Sequence, residues 1–270
     1  MLAQGLCESG LSRDTPDMSV NITFLGGADT VTGSKYLVQH GGQKVLIDCG
    51  LFQGYKQLRL RNWNAPTFRP SDIDAVMLTH AHLDHSGYLP LLCKQGFKGR
   101  VHATPGTRDL CAILLPDSGH IQEEDAAFAN RHGFSKHSPA LPLYTRDDAM
   151  NALGLLAPVD FEQEVHLGDG VTFKMTPNGH ILGSAFVRIS DGKKSSVFSG
   201  DIGRPKHLLM QPPATIKQAD YLVLESTYGD RTHDKADPRV KLAETINRTI
   251  SRGGKVIIPV FAVGRAQEIL

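Results

Sequence analysis

Residues 73–85, IDAVMLTHAHLDH, run from an apolar stretch straight into His80, His82, Asp84 and His85. The first half, 73–79, reads as a buried strand. On extended backbone successive side chains face opposite ways, so His80 and His82 share a face and can grip one ion. Asp84 and His85 follow at the turn into the next helix, placed to face a second ion. Imidazole together with carboxylate is the donor set that zinc prefers. The alternative, a solvated loop that is merely rich in histidine, would leave several titratable groups uncompensated beside a buried strand.

Outward from this stretch the chain alternates between strand and helix signals. Upstream, 20–25, 35–38 and 45–48 are short β-branched runs separated by Gly26-Gly27 and Gly41-Gly42, the punctuation of a meandering sheet. Downstream, 86–95 reads as a helix with Leu89, Leu91 and Leu92 on its apolar side, and 101–103 as a strand. Pro105 is suited to the first turn of another helix. Residues 117–131 and 145–156 also read as helices, the second opened by Thr145 and Asp148 in capping-box spacing. Between them 133–144, with two prolines, is a loop. Strand character returns at 171–175, 185–189, 196–199 and 221–224. A helix over 237–252 ends at Gly253-Gly254, 255–261 (KVIIPVF) reads as a buried strand, and 264–270 as the first turns of another helix. Two blocks of strands and helices predict a layered α/β sandwich, and the last segment looks like the opening of a parallel α/β unit. Leu270 falls within a helical stretch with no cap, glycine or polar tail, which predicts a longer parent protein.

Bulk properties narrow the partners. A chain of 270 residues allows one large domain, or one and part of another. Lys+Arg 29 against Asp+Glu 28 leaves a net charge of +1, so a polyanion would have to be held by a local site. Cys7, Cys49, Cys93 and Cys111 show no Cys-x-x-Cys pair, which argues against a disulfide framework or a thiolate zinc knuckle and fits a reducing cytoplasm. No apolar run approaches a membrane span. Residues 1–17 lack a basic region ahead of an apolar one, so they read as a disordered polar leader and not a secretory signal, with the ordered chain beginning near Met18.

Two more ligand candidates sit where strands end: His180 in GHILGSA (179–185) and Asp201 in FSGDIG (198–203). Alone, each is a loop histidine or a turn aspartate. Together, His80-x-His82-x-Asp84-His85, His180 and Asp201 occur in the order of the successive metal motifs of the metallo-β-lactamase superfamily, which the chain resembles from about Met18 onward. Asp48, ending the strand of VLIDCG (45–50), matches the first of those motifs. Further on, LESTYGDR (224–231) and FAVGRAQE (261–268) resemble the β-CASP branch, the nucleic-acid nucleases. Within it, GHILGSA and ESTYGDR look like the RNA-processing members, akin to the polyadenylation specificity endonuclease.

The resemblance implies a four-layer αββα sandwich over 18–229, incomplete, followed over 230–270 by the start of an inserted α/β β-CASP domain. It implies two zinc ions, one held by His80, His82 and His180, the other by Asp84 and His85, with Asp201 bridging both. The implied activity is RNA-processing phosphodiester hydrolysis with a metal-bridging hydroxide as nucleophile. Asp48 would act from behind, orienting a ligand histidine or the water, the alternative being an aspartate that caps its own turn. Glu225 would help a downstream histidine protonate the leaving oxygen, the alternative being an acidic turn residue after a buried strand.

The family pattern needs two further histidines downstream, so this chain is expected to bind metal incompletely and to cleave weakly or not at all. Single-stranded RNA ranks above DNA as partner; a homodimer, and exonuclease against endonuclease action, are left open. Two competing readings stand: a thioester or lactam hydrolase of the same superfamily, which gives no reason for ESTYGDR, and a catalytically dead RNA-binding scaffold, which gives no reason for four intact ligands. His40, His102, His132, His137, His166 and His207 read as ordinary histidines. His120 and His233 lie beside family-like segments. Lys35, Arg231 and Arg265 read as solvated charges, with a phosphate contact as the alternative.

Overall fold

A computed structural model describes residues 20–232 and 236–270; the leader, the start near Met18 and His233 lie outside the described residues. The chain opens as a meander, β1 (Asn21–Gly26), β2 (Lys35–His40) and β3 (Gln43–Ile47), followed by the short helix α1 (Lys56–Arg61). Then come β4 (Ala75–Met77), helices α2 (Leu83–Ser86) and α3 (Leu89–Lys94), and β5 (Arg100–Ala103). Helices α4 (Pro105–His132) and α5 (Arg146–Leu153) lead to β6 (Leu156–Pro158). A second run of strands follows: β7 (Glu164–Gly168), β8 (Val171–Pro177), β9 (Ala185–Ser190), β10 (Ser195–Phe198) and β11 (Tyr221–Val223). Helices α6 (Pro238–Ile250) and α7 (Arg265–Ile269) come last in the chain.

These build two sheets, ordered β1-β2-β3-β4-β5-β6 and β11-β10-β9-β8-β7. In the first, β1 to β3 are antiparallel and β3 to β6 parallel. Alternation sets the packing, because successive residues of a strand face opposite sides. Leu46, Val76 and Val101 face α3, α4 and α5 in one core. Val45, Ile47, Ala75 and Met77 face Phe173, Met175, Val187 and Ile189 of the second sheet in another. The layers therefore run helices, sheet, sheet. On the outer side of the second sheet Thr172 and Lys174 are half-buried and Arg188 is exposed, the polar face of an antiparallel sheet.

Three readings of the sequence are corrected. Residues 86–95 are not one helix: Gly87 interrupts it, its Cα lying so near the Leu83 carbonyl that a Cβ would come within 2.6 Å, and Pro90 starts α3 afresh. The helix starting at Pro105 and the one expected at 117–131 are a single helix, α4, continuous through Pro116. Packing just past the proline, against the start of α5, outweighs the lost backbone bond: Ser118 Oγ meets Tyr144 Oη at 2.8 Å, and Gly119 lies against the backbone of Thr145 and Arg146. Finally, 255–261 is not a buried strand. It has no ladder partner among the described residues, Pro259 removes a donor, and Ile257 and Phe261 are 90% and 75% exposed. Its β-branched composition registers a need for neighbours, which strand propensity alone does not supply. The capping box at Thr145 and Asp148 forms as read, with both reciprocal bonds present.

Candidate metal centre

The C-terminal ends of β3 and β4 and the loops after β8 and β10 meet at one rim of the sandwich, the kind of edge where open α/β sheets hold ligands. His80 and His82 follow β4, and His82 immediately precedes α2, which carries Asp84 and His85. His180 follows β8 and Asp201 follows β10. One donor atom from each of His80, His82, His180 and Asp201 lies within 4.8 Å of the others.

The donors converge in a specific way. His82 Nδ1 is 3.1 Å from His80 Nε2 and 3.2 Å from His180 Nε2. Tetrahedral zinc with nitrogen at about 2.0–2.1 Å would separate its ligands by about 3.3 Å, so this set fits that ion. Asp201 presents one oxygen to each side: Oδ2 lies 3.5 Å from His180 Nε2 and 3.8 Å from His80 Nε2, while Oδ1 lies 3.3 Å from His85 Nε2. Asp84 Oδ2 is 3.9 Å from that same His85 nitrogen. All six sequence candidates are thus brought together, in two groups joined by one carboxylate.

Proton placement suits ligation at His80 and His180. Burial and the neighbouring imidazoles hold His80 well below the ordinary histidine range, and burial brings His180 down to about 4, so both rings keep a lone pair for a cation. Burial would lower His85 too, but the Asp48 and Asp201 carboxylates outweigh it and raise its pKa well above the usual value. Burial raises Asp84. For Asp201 burial acts upward, and its bond to His85 and the surrounding imidazoles prevail, so the pKa is lowered.

Asp48 is buried behind this cluster in left-handed backbone, φ 56°. Its Oδ1 accepts from the Thr79 N–H at 2.7 Å; its Oδ2 accepts from Thr79 Oγ1 at 2.8 Å and from His85 Nδ1 at 2.7 Å. Since the Thr79 hydroxyl donates to Asp48, it accepts from His80 Nδ1, 3.0 Å away. One carboxylate therefore takes the Nδ1 proton of His85 and, through Thr79, orders that of His80, so that in the neutral rings Nε2 is the atom left to face the centre. His82 Nε2 similarly faces the Val263 carbonyl at 3.4 Å.

Glu225 is not among the clustered donors. Its Oε1 accepts from the N–H of Ile202 at 2.6 Å, and its own N–H donates to Ser199 Oγ at 2.9 Å, so it braces the loop that presents Asp201. Sequence reasoning missed similar braces. Asn178, fully buried, donates through Nδ2 to the carbonyls of Ser199 and Asp201 at 2.9 and 2.8 Å, and Ser184 Oγ accepts from the His180 N–H at 2.9 Å. Both lie within a few residues of a motif histidine, the only signal that could have marked them. The glycines of the motifs permit close approach: a Cβ on Gly50 would fall 1.6 Å from the Asp84 carbonyl oxygen.

Among the described residues no other histidine joins the clustered donors. His120 is exposed on α4, and His207 pairs with Glu268, tying α7 to the loop after β10. Arg231 and Arg265 pair with Asp230 and Glu268. Lys35 is corrected: it is only 7% exposed, its Nζ donates to the Gly50 carbonyl at 2.9 Å, and it sits 4.0 Å from the Tyr88 ring centre. Burial brings its pKa from 10.5 to about 8, with Cys49 opposing and Arg61 adding to the fall.

Between those two values the unfolded chain binds more protons than the folded one, so stability rises with pH across that window. At neutral pH the buried ammonium costs about 3 kcal/mol, offset by roughly 1 kcal/mol or more from the rings. Lys35→Met is expected to raise the thermal midpoint at pH 7 and to lose that advantage by about pH 10; an equal gain at both would assign the effect to packing.

Residues 28–241 match the profile of the Metallo-beta-lactamase superfamily. Ribonuclease TTHA0252 of Thermus thermophilus is 39% identical over 252 residues, 93% of this chain and 54% of that protein. Transcription termination factor FttA of Methanocaldococcus jannaschii is 34% identical over 260 residues, 94% of this chain and 39% of that protein. The chain thus spans about half the length of these relatives, or less. Among solved structures, a Cronobacter sakazakii metallo-beta-lactamase HARLDQ-motif mutant superposes with a TM-score of 0.41 at 22% identity, covering 70% of this chain and 62% of its own.

Proposed function

Because the chain belongs to the metallo-beta-lactamase superfamily, we propose that it is the metal-binding portion of a zinc-dependent nuclease that hydrolyses single-stranded RNA in the cytoplasm. The observation that carries the reading is Asp201, whose two oxygens reach separate groups of nitrogen donors, the arrangement a paired-ion phosphodiesterase requires. The relatives named as a ribonuclease and a transcription termination factor favour RNA as substrate. We take 18–229 as the metallo-β-lactamase domain and 230–270 as the opening of a β-CASP domain. The unpaired thiols of Cys49, Cys93 and Cys111 fit a reducing compartment, and no helix of the described residues is long and apolar enough to cross a membrane.

In this reading His80, His82 and His180 would hold one ion, Asp84 and His85 the other, and Asp201 would serve both. When bound, the ions supply Lewis acidity, making water a competent nucleophile near neutral pH and drawing charge from the phosphoryl oxygens. The protein's own part is positional: Asp48 fixes the rings of His85 and, through Thr79, His80. Glu225 holds the Asp201 loop through Ile202; from that place it is also available to orient a proton donor for the leaving oxygen.

The test pairs elemental analysis with hydrolysis assays. The purified chain should contain zinc and should cleave a single-stranded RNA slowly, with chelation stopping the reaction, while leaving thioester and lactam substrates intact. Turnover of a thioester or lactam in place of RNA, or purified protein devoid of transition metal, would sink the proposal.

A further inference from the structure

We propose that residues 54–64 form a stacking platform that receives unpaired bases of an RNA strand beside the metal centre. This deepens the nuclease reading and rests on it. Tryptophan is usually largely buried. Here the chain's single tryptophan, Trp63, is 58% exposed, and Tyr55 is 80% exposed at the other end of the same loop. Between them runs α1, which buries none of its residues and carries Lys56, Arg59 and Arg61. Charge is nearly balanced over the whole chain, yet between Asp48 and Asp72 there is no carboxylate at all, while Lys56, Arg59, Arg61 and Arg69 fall there. Among the described residues none of these four cations is ion-paired.

The loop is nonetheless fixed. Asn62 is buried, its side chain accepting from the Phe52 N–H at 2.9 Å and donating to the Phe52 carbonyl at 2.8 Å, which closes the loop at its base. The Arg61 guanidinium lies 3.9 Å from the centre of the Phe52 ring. That base is bonded to the ligand turn itself: Cys49 N–H donates to the His85 carbonyl at 2.7 Å and Leu51 N–H to the Leu83 carbonyl at 2.9 Å. Two outward aromatic rings interleaved with unpaired cations, on a braced loop rooted in the turn that carries Asp84 and His85, have the chemistry of a single-strand track. Rings stack on any base, and cations follow the phosphates. A paired duplex hides the faces that such rings need, so the partner is single-stranded.

Because Trp63 is the only tryptophan, its emission reports on this loop alone. The probe is a fluorescein-labelled single-stranded oligoribonucleotide, with its duplex and polyglutamate as comparisons. The expected result is saturable quenching of Trp63 by the single strand and little by the duplex. By anisotropy, Trp63→Ala and Tyr55→Ala should each weaken binding about fivefold or more. Arg59→Ala should reduce the slope of log affinity against log salt by about 0.7, and zinc content should stay unchanged in all three. If the strand binds while Trp63 emission stays flat and the variants bind normally, the platform is wrong and the nuclease reading survives. If no RNA binds, both fall. Quenching by polyglutamate in place of RNA would reassign the loop to an acidic protein partner and overturn the proposal.

Discussion

Asp201→Asn is expected to lower the zinc that the chain retains and to weaken what binding remains by more than about 100-fold, the upper end of what losing an outer partner alone costs. The substitution keeps the side chain's size and removes one donor oxygen and the charge. In the wild type Oδ1 lies 3.3 Å from His85 Nε2 and Oδ2 lies 3.5 Å from His180 Nε2, so each oxygen serves a different group of ligands. An amide nitrogen has no lone pair to offer a cation; whichever way the new amide turned, one group would face N–H atoms. Two like-charged ions also need the bridging negative charge to sit close together, and the imidazoles bring none. RNA cleavage should fall with the metal. Asp201 is half-exposed on a loop braced by Glu225 and Asn178, so the metal-free fold should persist, and a circular dichroism spectrum checks that. Wild-type zinc content and affinity in folded Asp201→Asn would remove the bridging role and with it the basis of the functional reading.

The contrast between what could and could not be read in the sequence is itself physical. The ligand turn was legible because strand alternation and a dense run of donor residues lie together in thirteen consecutive positions, 73–85. His180 and Asp201 were legible only as members of an ordered set. Nothing local distinguishes a loop histidine that meets His82 at 3.2 Å from one that meets water. The buried lysine was misread because Lys35 is covered by Phe52 and Tyr88, which come from a different loop and a different helix boundary. The exposed 255–261 segment was misread for the converse reason: β-branched residues state a preference for neighbours, and only the fold says whether a strand stands alongside. The long helix α4 escaped because proline normally signals a break, and tertiary packing at Ser118 and Gly119 overrides it.

Asp48 offers the sharpest separation of a positioning role from a structural one, since alanine and asparagine should fail differently there. Asp48→Ala leaves three buried donors without their acceptor: the Thr79 N–H, the Thr79 hydroxyl and His85 Nδ1. Breaking a buried charged network from one side costs about 3–5 kcal/mol, and alanine tolerates the left-handed φ of 56° less well than aspartate. The metal-free protein should therefore lose much of its thermal stability. Asparagine keeps the shape and suits that backbone. With its oxygen on the Thr79 N–H, its amide N–H atoms face Thr79 Oγ1 and His85 Nδ1. His85 must then accept at Nδ1, which moves its proton to Nε2, the atom that faces Asp84 and Asp201. Thr79, no longer donating to residue 48, is free to donate to His80 Nδ1, which protonates the Nε2 of that ring as well. Asp48→Asn is thus expected to melt near the wild type and to bind zinc about 10–100-fold more weakly. Wild-type zinc affinity in Asp48→Asn would show that the tautomers are set elsewhere, and equal destabilisation by both substitutions would reduce Asp48 to a cap on its own turn.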